Sequence, residues 1–184
     1  MTTRSSIALL ALLTMGCAHA TPPSIAHSPS LREHGSRAYD PGVSLQSGAA
    51  IALLEALIIA VRDEETVEIM RCFAQEPIQL GHTNTLATTR IRQDLAVQRV
   101  LGARHASGLP QATPIDAMID RASIATSHAS ERFPILPAGV HDTDIVLTFR
   151  VRPLAERALL AIALRGEGLL VLRLTTTGAH IVAL

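Results

Sequence analysis

Ile145, Leu147, Phe149 and Val151 alternate with Val146, Thr148, Arg150 and Arg152, and the same two-residue period returns at Leu170, Leu172 and Leu174 with Arg173 and Thr175 between them. Successive side chains of a strand point to opposite faces, so this pattern requires a sheet with one apolar face and one wetter face. Thr177-Gly178 predicts a turn, Ala179 to Leu184 a last strand, and Gly166-Glu167-Gly168 suits a hairpin turn. Leu154 to Arg165 has helix-forming composition, but Leu160, Ile162 and Leu164 alternate between two strand patterns, so it is read as extended.

The preceding part of the chain keeps a helical period. Ile51, Leu54, Ile58 and Val61, widened by Leu53 and Leu57, predict a helix from about Ala49 to Arg62 with Ser47 as its cap. Asp63 caps a second helix carrying Thr66, Ile69, Met70 and Phe73, closed by Pro77. A short extended piece, Ile78 to Leu80, precedes a third helix from Thr88 to His105. Thr113-Pro114-Ile115-Asp116 starts a further turn or two of helix that merges into an extended run near Ala122 to Ala129. The fold class expected is α+β, with two to three N-terminal helices packed on a mostly antiparallel sheet.

The N-terminus points to export. Ile7 to Met15 is an uncharged run preceded by Arg4 and followed by Gly16-Cys17-Ala18-His19-Ala20. It is too short to span about 30 Å of hydrocarbon but matches the apolar region of a signal peptide. Gly16-Cys17 resembles a bacterial lipoprotein site, with Cys17 becoming the lipidated first residue; Ala18 behind it implies the outer membrane. Cleavage after Ala20 is the competing reading, leaving a soluble periplasmic or secreted chain. Residues 1–16 are thus assigned to a signal peptide and 17–47, with Pro22, Pro23, Pro29 and Pro41, to a flexible tether. A single domain spans 48–184. With Cys17 lipidated only Cys72 remains, so no internal disulfide forms, and Cys72 fits a small buried hydrophobe.

Composition narrows the chemistry. The basic residues are all arginine, and the formal charge is zero. Lysine chemistry is excluded, and nothing attracts nucleic acid by bulk charge. No phosphate-loop, dinucleotide or metal-ligand pattern occurs, so neither a cofactor nor a metal is expected. Asp142-Thr143-Asp144 beside His141 reads as a solvated turn.

The segment Ala52 to Leu80, "ALLEALIIAVRDEETVEIMRCFAQEPIQL", and the closing "LLVLRLTTTGAHIVAL", Leu169 to Leu184, together resemble the nuclear transport factor 2-like superfamily. That resemblance implies the curved, cone-like α+β fold shared with ketosteroid isomerases and polyketide cyclases. The chain departs from it in aromatics: Tyr39 falls in the tether, so the folded part has no tyrosine to serve an oxyanion. A shared scaffold does not by itself carry an activity.

Four residues are candidate site residues. Asp94 lies among Ile91, Leu95, Gln98 and Leu101 at helical spacing, where it either meets an arginine such as Arg90 or lines a pocket as a base. His128 would be its proton partner. Arg150 and Arg152 share a strand face and form a small anionic-ligand patch. The function expected is a noncatalytic envelope domain that binds a small molecule or an envelope protein, attached to the membrane through its lipid only. The alternative is a small isomerase or dehydratase using Asp94 and His128. The outer sheet face, Val146, Thr148 and Arg150, leaves room for a homodimer. Intact mass of chain expressed with its own signal should show loss of residues 1–16 and a diacylglyceryl-type addition; a chain beginning at unmodified Thr21 would establish conventional cleavage instead.

Overall fold

The computed structural model describes residues 41–80 and 89–184, so the apolar run, Cys17 and the tether up to residue 40 lie outside the described residues. Helix α1, Pro41–Asp63, begins inside the stretch assigned to the tether. Ala50, Leu54, Leu57, Ile58 and Val61 are buried on one side of it, close to the expected stripe. Glu64 takes the left-handed conformation (φ 61°). Its N–H bonds to the Val61 carbonyl, and the Glu65 N–H to the Ala60 carbonyl, which is the Schellman ending of a helix. Arg104 then donates to the Arg62 carbonyl from Nε and Nη2 at 3.2 and 3.1 Å, satisfying a further open acceptor of that last turn.

Helix α2, Thr66–Cys72, is shorter than the sequence suggested, because Phe73–Gln79 becomes strand β1. Pro77 lies within β1, between two registers of the parallel β1–β7 pairing, where a missing N–H is tolerated. Strand β2, Thr89–Arg90, pairs antiparallel with β1 and delays helix α3 to Gln93–Ser107. A single turn, α4, Ile115–Met118, leads into β3, Ile119–His128, and another, α5, Ala129–Arg132, follows it. Strands β4, Ile145–Val151, β6, Glu167–Thr175, and β7, Gly178–Ala183, fall where the alternation put them.

Leu154 to Arg165 does not form the expected strand. It opens with a 3₁₀ turn, Pro153–Ala155, and continues as turns held by bonds such as Leu159 N–H to Ala155 carbonyl; only Ala163–Leu164, β5, is extended. Ala155, Ala158, Leu159 and Ile162 are buried at the three-and-four spacing of one helical face, whereas Leu160 and Leu164 are exposed, so the core is filled from turns and not from alternate positions of a strand. Arg165 (φ 54°) and Gly166 (φ 78°) supply the two positive φ angles of a two-residue type I′ hairpin between β5 and β6.

The sheet order is β2-β1-β7-β6-β4-β3, with β5 beside the start of β6. It is mixed, since β1 runs parallel to β7 while the other neighbours are antiparallel. Helices α1 to α3 pack on one face through Leu54, Leu57, Ile69, Phe73, Leu147, Phe149, Leu170 and Ile181. The opposite face carries a second core in which Phe133 and Val140, from the segment between α5 and β4, cover Ile78, Val146, Val171 and Val182.

The cone implied by the resemblance is not formed. The sheet is open, with β2 and β3 at opposite edges and unpaired with each other. Five α-helices are spread along the described residues, in place of two or three at the start, and the sheet, antiparallel except for the β1–β7 pair, is not strongly curled. Beneath α1 to α3 the space is occupied by side chains of the first core. The domain thus lacks the closure of the nuclear transport factor 2-like fold that the sequence resemblance implied. Val146 is almost fully buried, so the face proposed for dimer contact is already covered at that end.

Gly168 stands directly opposite Phe149 in the β4–β6 register, and a Cβ at Gly168 would overlap the Phe149 ring. The ring therefore lies across the glycine and closes the first core at the end of β4. Gly168→Ala should destabilise the domain by about 1–3 kcal/mol in urea unfolding. Phe149→Leu in the same chain should recover part of that loss.

Candidate functional site

The face opposite the helices is covered along only part of its length. Paired residues of neighbouring strands share a face, so Ala125, Thr148 and Leu169 lie side by side, as do Ser127, Val146 and Val171. Where the covering segment stops, a cleft of about 1120 Å³ opens over Thr148 and Leu169. Its rim carries Arg132 from the end of α5, Arg150 from β4 and Arg165 from the β5–β6 turn, with Glu167 the single carboxylate of the lining.

Local bonds fix these positions. Ser123 Oγ accepts the Arg150 N–H at 2.8 Å and donates to the Asp120 carbonyl, bridging β3 and β4 across the irregular register between Asp120 and Ala125. Arg132 is held near the sheet because the Ala129 N–H bonds to the Asp144 carbonyl at 2.8 Å. Asp144 itself is buried, and its carboxylate takes the Arg173 guanidinium by both oxygens, at 2.8 and 2.7 Å. That bond raises the Arg173 pKa. The turn 141–144, read from sequence as solvated, is thus anchored at Asp144.

The four sequence candidates separate in space. Arg150 lines the cleft; Arg152, two residues on, does not, and pairs with Asp120 at 3.8 Å. Asp94 sits in the first turn of α3 and is bound by Arg92 through Nε at 3.0 Å and through Nη2. Of the two outcomes open for Asp94, the structure shows pairing with an arginine, though with Arg92 rather than Arg90. The cause is the face of α3: Ala96, Val97, Val100 and Arg104 are buried, leaving Leu95 exposed and Asp94 beside it. The hydrogen bond from Arg92 holds the Asp94 carboxyl below its ordinary range. His128 ends β3, half-buried, opposite Ile145. Among the described residues no hydrogen bond or ion pair joins Asp94 to His128, and neither residue lines the cleft.

Cys72 is buried and its thiol donates to the Glu68 carbonyl at 3.3 Å. Burial, with the Glu68 carboxylate adding, pushes its pKa up to about 11, the opposite of an activated thiol. Among the described residues no group of three histidine, cysteine, aspartate or glutamate side chains could hold a metal ion, and no helix is long and apolar enough to cross a membrane. Arg132 and Arg165 had no signal in the sequence, since only the folded sheet brings residues 132, 150 and 165 to one rim.

No protein-family model matches the chain, and no curated protein matches it.

In a carboxyl carbon NMR titration, Asp94 should deprotonate below the ordinary aspartate value, and Arg92→Gln should move it back upward. A base poised in an apolar pocket would titrate above that value instead.

Proposed function

We propose that this is a noncatalytic binding domain of the cell envelope that holds a small ligand in the cleft on the sheet face opposite its helices. The observation carrying this reading is the cleft itself: a concave surface built on the central strands β4 and β6, floored by Thr148 and Leu169 and rimmed by arginines. Rigid strands place such groups more reliably than mobile loops do. Export is supported by residues 7–20 of the sequence. The noncatalytic part is supported by what the cleft is made of. Its lining offers hydroxyls, guanidinium groups and Glu167 but no histidine or cysteine, and the Asp94 carboxylate lies outside it, bound to Arg92.

Native mass spectrometry of the full chain, incubated with a low-molecular-weight extract, should show a one-to-one adduct whose ligand is recovered chemically unchanged. Thr148→Trp, which fills the cleft floor, should remove the adduct while leaving the circular dichroism spectrum and unfolding midpoint near those of the parent chain. A ligand recovered in altered form would favour the isomerase or dehydratase alternative, and an adduct that survives Thr148→Trp would place binding elsewhere.

A further inference from the structure

The arginines of this domain are mostly engaged. Arg62, Arg92, Arg104, Arg121 and Arg173, for example, each bond to a carboxylate or to a backbone carbonyl. Among the described residues Arg132, Arg150 and Arg165 form no side-chain hydrogen bond or ion pair, and all three line the cleft. Arg157, which also makes none, lies outside the cleft lining. Unpartnered guanidinium groups are common on surfaces, but their convergence from a helix end, a central strand and a hairpin turn onto one depression is not a consequence of composition.

Resting on the binding function proposed above, we infer that the ligand of this cleft is a compact aliphatic polyanion carrying at least two phosphate or carboxylate groups. Three guanidinium groups face one carboxylate, Glu167, which leaves a surplus that a single negative charge does not neutralise. Glu167 stands opposite Arg150 in the β4–β6 register yet forms no ion pair with it, so the Arg150 fork remains open to a ligand. Guanidinium forks suit the paired oxygens of phosphate and carboxylate. Beneath them, the Thr148 and Ser127 hydroxyls are placed to bond to ligand oxygens, while Ala125 and Leu169 give an apolar patch for a short carbon skeleton. The aliphatic character follows from the aromatic inventory. Phe149 is the one aromatic residue at the cleft, and its ring is buried in the core on the helix side, so a nucleobase or aryl group has no ring to stack upon. The cleft volume of about 1120 Å³ accommodates a molecule of this size together with its water.

Backbone-amide NMR of the full chain, titrated separately with pyrophosphate, citrate, inorganic phosphate and neutral maltose, tests this. Pyrophosphate or citrate should shift the Thr148, Arg150 and Leu169 amides saturably, and more tightly than inorganic phosphate does. Arg150→Gln and Arg165→Gln should each weaken that binding by about tenfold or more, the loss of a charge-assisted bond. Arg157→Gln should leave it unchanged. The inference is overturned if Arg157→Gln weakens binding as much as the cleft variants, which would make the attraction one of general charge. It is overturned also if neither polyanion shifts these amides at concentrations up to about 10 mM, far weaker than a specific site requires. Saturable shifts of the same amides by maltose, with none by the polyanions, would discard the polyanion while keeping the cleft as a binding site. Pyrophosphate against citrate separates a phosphate ligand from a polycarboxylate one.

Discussion

The Asp144–Arg173 pair holds the second layer of this domain in place. The Asp144 side chain is 1% exposed, and its two oxygens are taken by Arg173 Nε and Nη2 and by the His141 N–H. A buried carboxylate that lost these donors would be left uncompensated at a cost of about 3–5 kcal/mol, although the intact pair contributes little net stability over an apolar substitute. Its effect is therefore on arrangement. Arg173 projects from β6 on the face away from the helices, and its Nη2 also donates to the Gly139 carbonyl at 2.9 Å. One arginine thus fixes the segment between α5 and β4 at two points. Phe133 and Val140 of that segment can then cover Val146, Val171 and Val182, which a one-layer sheet would leave wet.

Long-range side chains also complete the helix ends. Arg104, buried in α3, reaches the last turn of α1, and Gln93, at the start of α3, donates through Nε2 to the Met70 and Phe73 carbonyls at the end of α2. Each adds a tertiary bond to an end that is also capped locally, so α1, α2 and α3 are tied at their ends as well as through the core. Glu64 accepts the steric cost of the left-handed conformation where glycine is usual, and its carboxylate lies 3.5 Å from Arg104 and 3.1 Å from His105. A charged residue at that corner thus couples the turn to α3, which a glycine would not do.

These tertiary caps explain what could be read from sequence and what could not. The α1 stripe and the alternations in β4 and β6 were legible because each buries a continuous set of side chains at the period of its own backbone. The boundary between α2 and β1 was not, because Phe73 to Gln79 is held extended by pairing with β7, more than a hundred residues away. Leu154 to Arg165 failed for a different reason: Ala155, Ala158, Leu159 and Ile162 are buried at helical spacing along a run of turns, while Leu160 and Leu164, two members of the alternation that suggested a strand, are exposed. The cone failed because a pattern of helices followed by strands specifies layers but says nothing of whether the sheet edges approach each other. Of the site, Arg150 was visible as the polar member of a strand alternation, whereas Arg132 and Arg165 become neighbours only through the β3–β4 and β5–β6 pairings.

The same alternation contains a second, quieter signal that locates the cleft. On β4 the face away from the helices reads Val146, Thr148, Arg150, passing from buried through half-buried to exposed. On β6, running the other way, it reads Val171, Leu169, Glu167 and makes the same passage. Their helix-side neighbours, Leu147, Phe149 and Val151 on one strand and Gly168, Leu170 and Leu172 on the other, stay buried throughout. One face is therefore written for complete cover and the other for cover that ends partway. Since the two strands pair residue by residue, their gradients coincide, and the sheet becomes polar on both strands at the same level. A cover extending past Val146 and Val171 would have to bury Arg150 and Glu167, at a desolvation cost that apolar contact with Thr148 and Leu169 could not offset. The cover stops there for that reason, and the cleft is the depression left between its edge and the β5–β6 turn.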